Sequence, residues 1–102
     1  MSLALFLACT GSADSGACTE LGWAGYGDVF LRDWCRSCHS AAAPNRFGAP
    51  EGMDFDTLDD VHTWIGPIED TVIGDESMPL GGGIDDASRA EFGEWIGCGA
   101  PA

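Results

Sequence analysis

Cys35-Arg36-Ser37-Cys38-His39 is the stretch from which the rest of the chain is read. Two thiols three residues apart fall within one turn of backbone, and an imidazole follows at once. A Cys-x-x-Cys-His run is the attachment pattern for covalent c-type haem. Each thiol can form a thioether with a haem vinyl group, and the adjoining histidine offers iron a neutral nitrogen ligand. Other readings use part of the same run. A redox dithiol wants the pair at the start of a helix behind a buried strand, but no β-branched run precedes Cys35. A zinc site wants four ligands. Cys35, Cys38, His39 and His62 would make up that number, without a second closely spaced pair. An ordinary disulfide between the two cysteines is the remaining reading.

The length, 102 residues, allows one small domain with a core that is marginal on its own. A buried haem would give it a large apolar centre. Lysine is absent, and Arg32, Arg36, Arg46 and Arg89 stand against 17 acids, for a formal charge of −13. That balance argues against nucleic-acid binding, which needs cations facing phosphate, and against docking to anionic lipid. A redox protein partner would present a basic docking surface. The same acids serve equally to keep the protein soluble.

Leu3-Ala4-Leu5-Phe6-Leu7-Ala8 is an apolar run ending at Cys9, followed by small polar residues. It is too short to span a bilayer and looks like the end of a bacterial secretory signal. Ala8-Cys9 resembles a lipoprotein cleavage box, in which the cysteine carries the lipid. No Lys or Arg precedes the run. The expectation is an exported protein, periplasmic or membrane-anchored by a lipid on Cys9. Residues 1–19 are then leader and tether, and residues 20–102 the domain.

Gly22 to Trp34 reads as the first helix, with Trp23, Tyr26, Phe30, Leu31 and Trp34 on one face, and it runs directly into Cys35. Residues 40–52 hold Pro44, Gly48 and Pro50 and read as loop. Thr57 is placed to cap a helix reaching Trp64, with Asp59 and Asp60 in its first turn. Gly66-Pro67 interrupts it, and Ile68 to Ile73 resumes as helix. Met78-Pro79 stands in a loop bounded by Gly74 and the glycines 81–83. Asp85 or Asp86 caps a last helix whose Phe92, Trp95 and Ile96 share a face, and which Gly97 and Gly99 stop.

A helix leading into Cys35 to His39, a loop carrying Met78-Pro79 and a C-terminal aromatic helix together resemble the small class I (monohaem) cytochromes c, over about residues 20–100. The resemblance implies an all-α cytochrome c fold, with three to five short helices around one covalent haem and the N- and C-terminal helices crossing. Gly27, eight residues before Cys35, stands where that family lets the C-terminal helix pass closely. Leu31 stands where the family usually has an aromatic, with Phe30 beside it. The resemblance implies that Cys35 and Cys38 hold haem c and that His39 and Met78 are its axial ligands. It also implies that the carbonyl of Pro50 takes the second ring nitrogen of His39. Met53 and His62 are rivals for the second axial position.

The function so implied is single-electron transfer by a monomeric carrier that is not an enzyme. A displaceable sixth ligand would make the chain a haem-based small-ligand sensor or a peroxidase-like domain instead. With Cys35 and Cys38 on haem and Cys9 in the leader, Cys18 and Cys98 are left, to tie the termini by a disulfide or to stay free.

Overall fold

The computed structural model describes residues 18–102; the apolar run, Cys9 and the greater part of the leader lie outside the described residues. Among the described residues the chain is helical, with no strand. A widened π-helical turn, Trp23–Gly27, passes straight into α1, Asp28–Trp34. Both Tyr26 and Gly27 donate their backbone N–H to Gly22 O at 3.0 Å, which is how the wide turn starts. A long connection leads to α2, Leu58–Thr63, then α3, Ile65–Ile68, and a second π-helical turn, Glu69–Gly74. The Met78 loop separates these from α4, Asp86–Gly97.

Local sequence explains most of the boundaries. Thr57 and Asp60 form a reciprocal capping box at the start of α2, which satisfies two backbone donors that the helix cannot. Asp85, in extended backbone, accepts the Ser88 N–H at 2.7 Å and so caps α4. At the other end of α4, Gly99 N–H donates to Ile96 O and Ala100 N–H to Trp95 O, each at 2.9 Å. Gly99 supplies the positive φ of 89° that this closing turn requires.

Gly97, expected to help stop the last helix, is instead its final helical residue. A second boundary also differs from the sequence expectation. The break between α2 and α3 falls at Trp64, whose dihedrals leave the helix (φ −108°, ψ 18°), while Gly66 and Pro67 lie inside α3. Proline is tolerated there because its missing N–H belongs to a first turn, where it would have no helical partner.

The core joins the first and last helical segments of the described residues. Phe30 and Leu31 of α1 meet Phe92, Trp95 and Ile96 of α4, and Phe55, Val61, Ile68, Val72, Ile84 and Ala100 complete the cluster. The rings of Phe30 and Phe92 stack at 4.0 Å with an 8° tilt. Gly27 faces the indole of Trp95 so closely that a Cβ there would sit 2.4 Å from a ring carbon. The C-terminal tail is drawn in as well. Trp95 Nε1 donates to Pro101 O at 3.1 Å, and His62 Nε2 lies 2.8 Å from Ala100 O. Cys18 and Cys98 come together with a Cα–Cα separation of 5.8 Å, a span that a disulfide bridges. No helix among the described residues is long and apolar enough to cross a membrane.

Candidate functional site

At Trp34 α1 ends, and Cys35 closes it by donating its N–H to Leu31 O at 2.9 Å. The chain then folds tightly on itself. Cys38 N–H and His39 N–H both donate to Cys35 O, at 3.1 and 2.8 Å. This turn brings Cys35, Cys38 and His39 to one wall of an apolar cavity of about 400 Å³. Trp34, Phe55, Ile68 and Val72 build much of the rest, and Met78 and Pro79 enter from the later loop.

His39 is buried and held on two sides. Its ring stacks on Phe55 at 4.5 Å. Its Nδ1 lies 2.8 Å from Met53 O. A carbonyl only accepts, so Nδ1 carries the hydrogen, and in the neutral ring Nε2 is left with the lone pair. Such a bond fixes the ring and raises its basicity as a ligand. The acceptor is Met53, not Pro50 as the resemblance implied. Pro50 O is taken by Arg46 Nη2 at 2.6 Å and by the Met53 N–H at 3.0 Å. That turn at Pro50 is what carries the Met53 carbonyl to the imidazole. Pro50 keeps its place in the cavity wall.

The loop around His39 is knotted by arginines. Arg46 Nη1 donates to Ser40 O at 2.8 Å and to Asp54 Oδ1 at 2.7 Å, while Nη2 reaches Met53 O at 3.3 Å as well as Pro50 O. Arg36, inside the pentapeptide, donates to Phe55 O and to Asp28 Oδ1, each at 2.7 Å. Its guanidinium also lies 5.6 Å over the Trp23 ring. Burial pushes the Cys35 thiol up to about 12, with Cys38 adding to the rise and Arg36 opposing it. A dithiol oxidoreductase needs the reverse, a thiolate favoured by its surroundings.

Met78 is held through its backbone. Its N–H donates to Thr71 O at 3.0 Å, and its carbonyl accepts from Arg89 Nη1 at 3.3 Å. The structure therefore brings Cys35, Cys38, His39, Pro50 and Met78 to one cavity. Met53 lines it too, with its carbonyl committed to His39. His62 does not line it, being engaged at Ala100.

The work of Arg46 and Arg89 was not seen from the sequence. The available signal was scarcity, since an acid-rich chain without lysine keeps only four cations. Comparison with protein-family models, with characterised proteins and with solved structures gives no match.

Proposed function

We propose that this chain is a single-electron carrier with one haem c, bound covalently through Cys35 and Cys38 and ligated by His39 and Met78, in a small class I cytochrome c fold. The observation that carries the proposal is convergence. Residues from three separated stretches, at 35–39, 50 and 78, line one apolar cavity whose volume of about 400 Å³ lies in the range of cofactor pockets.

The donor chemistry fits the group. His39 has one ring nitrogen committed to a carbonyl and the other free to ligate. Met78 offers a soft thioether, which favours the reduced state of haem iron and raises its potential. Haem, when bound, would supply an iron that cycles between two oxidation states, and His39 and Met78 are the residues that would hold it. The chain's own residues do the rest. Met53 O and the Phe55 ring fix the imidazole against rotation. Trp34, Phe55, Ile68 and Val72 make the cavity wall apolar.

A carrier of this kind needs no catalytic residue, and none is assigned. Its redox partner is a protein with a basic docking face, complementary to a formal charge of −13. Export to an oxidising compartment, with Cys18 and Cys98 joined as a disulfide and Cys9 as the lipid site, fits the same reading.

The test is expression with the periplasmic attachment machinery. The expected product is coloured, gains the mass of one haem, shows a low-spin reduced-minus-oxidised spectrum and does not bind carbon monoxide readily. Met78→Ala is expected to keep the haem, lose the thioether signature, lower the potential and admit carbon monoxide. A colourless product in which Cys35 and Cys38 still alkylate sinks the proposal.

A further inference from the structure

Arg89 is the one arginine whose side chain is buried, at 11% exposure against 18% or more for the others in ion pairs, and the electron-carrier reading gives it no part. It projects from α4 into the segment that carries Met78. Its Nη1 donates to Val72 O, in the second π-helical turn, and to Met78 O at 3.3 Å. Its Nε lies 3.8 Å from Glu76 Oε1, a carboxylate whose side chain is 57% exposed. That ion pair is long and solvated, so it compensates the burial of a full charge poorly. The carbonyls of Val72 and Met78 are the acceptors that the guanidinium is committed to. On the other side of the same residue, Met78 N–H is tied to Thr71 O at 3.0 Å. Thus the backbone of Met78 is clamped at both its donor and its acceptor, and Arg89 links it to the helix at the far end of the chain.

We propose that Arg89 is a positioning residue for the sixth ligand: it sets the Met78 loop against α4 so that the thioether faces the cavity and stays there. The inference rests on the haem reading above and adds a residue that does not line the cavity. A hydrophobic residue of similar length in its place would fill much of the space but leave the Val72 and Met78 carbonyls without their donor, so global stability is expected to fall as well. The loop would be released with those carbonyls. Ligand retention is therefore read well below the melting temperature, where the fold is intact. A merely structural arginine would lower the melting temperature and leave the ligand and the Met78 amide unchanged there.

The experiment uses the haem-loaded protein with Arg89→Met and Arg89→Lys, beside Arg32→Met as an exposed control and Met78→Ala as the limit. Three readouts are taken well below each variant's melting temperature: the thioether-to-iron absorption signature, the affinity for added imidazole, and amide hydrogen exchange at Met78. The expected result for Arg89→Met is full haem content with a weakened thioether signature. Imidazole binds at least about tenfold more tightly, which corresponds to 1.4 kcal/mol. The Met78 amide exchanges faster. Arg89→Lys recovers part of each, and Arg32→Met changes none. Arg89→Met with unchanged imidazole affinity and unchanged exchange at Met78 overturns the inference while leaving haem binding intact. A wild-type protein without haem fails the electron-carrier reading instead. In that case the exchange at Met78 in wild type and Arg89→Met still reports whether the arginine holds the loop.

Discussion

His39 and Met78 differ in how each is fixed, and the difference follows from their side chains. An imidazole has a second polar atom, so the fold can anchor the ring itself, by a bond from Nδ1 to Met53 O. A thioether has no such handle, so the fold anchors the backbone on both sides of it, through Thr71 O and Arg89. Tyr26 shows the opposite situation. Its ring packs near Phe30 and Trp95, at 5.9 and 6.1 Å, but its hydroxyl is buried with no partner among the described residues. Burial, with the Glu91 carboxylate adding to it, raises that hydroxyl above the ordinary tyrosine value. Removing an unpaired polar atom costs nothing and recovers its desolvation. Tyr26→Phe is therefore expected to be neutral or stabilising by up to about 1 kcal/mol in chemical denaturation. A loss of that size would mean that the hydroxyl has a partner.

The short helices depend on their ends more than on their middles, because helices of six and four residues such as α2 and α3 cannot hold themselves together. Thr57→Ala removes half of the capping box of α2 and is expected to cost about 1 kcal/mol. Thr57→Ser, which keeps the oxygen, should recover most of it in the same denaturation series. Between the first and last helical segments the critical element is an absence of side chain. Gly27→Ala would drive a methyl into the Trp95 ring, which is fully buried and has nowhere to retreat. Overpacking of this kind costs about 1–3 kcal/mol. The proposed haem attachment residues follow directly on α1, so the substitution should also reduce haem yield if that proposal holds. A Gly27→Ala protein as stable as wild type would show that Trp95 can move aside.

At the scale of the whole molecule, lowered carboxyls make acid a destabilising condition. The carboxyl of Asp56 is held below its ordinary value of 3.8, although burial alone would raise it. The Ser40 hydroxyl, the Ala41 N–H and the Arg36 and Arg46 guanidiniums outweigh that burial. Asp75 and Asp85 are lowered by hydrogen bonds from Ser77 and Ser88. A group whose folded value lies below its unfolded one binds fewer protons when folded. Its contribution is therefore complete above the ordinary value and is lost as pH falls through the folded one. Stability is expected to be level near neutrality and to decline as pH falls to 3.8 and below it, and a thermal-unfolding series down through that value checks it. The proposed Cys18–Cys98 bridge joins residues 80 apart in sequence and so closes nearly the whole described chain. Reducing it is expected to cost roughly 2–5 kcal/mol. Two thiols should become alkylatable after reduction and not before.

The features settled within a few residues were legible from the amino acids alone. The Cys35 to His39 run, the cap at Thr57, a last cap at Asp85 or Asp86 and a helix stop near Gly97 and Gly99 each depend on neighbours along the chain; the structure selects Asp85 and carries the helix through Gly97. Tertiary structure alone decided the rest. Every residue has a carbonyl, so nothing in the composition distinguishes Met53 from Pro50 as the partner of His39; the loop path that Arg46 fixes makes that choice. The break at Trp64 rather than Gly66-Pro67, and the reach of Arg89 from α4 to the Met78 carbonyl, are likewise matters of distance between segments. Side-chain identity states what a residue can bond to. Only the packing of remote segments determines which of many equivalent partners lies within 3 Å or so, because hydrogen bonds weaken steeply beyond that range.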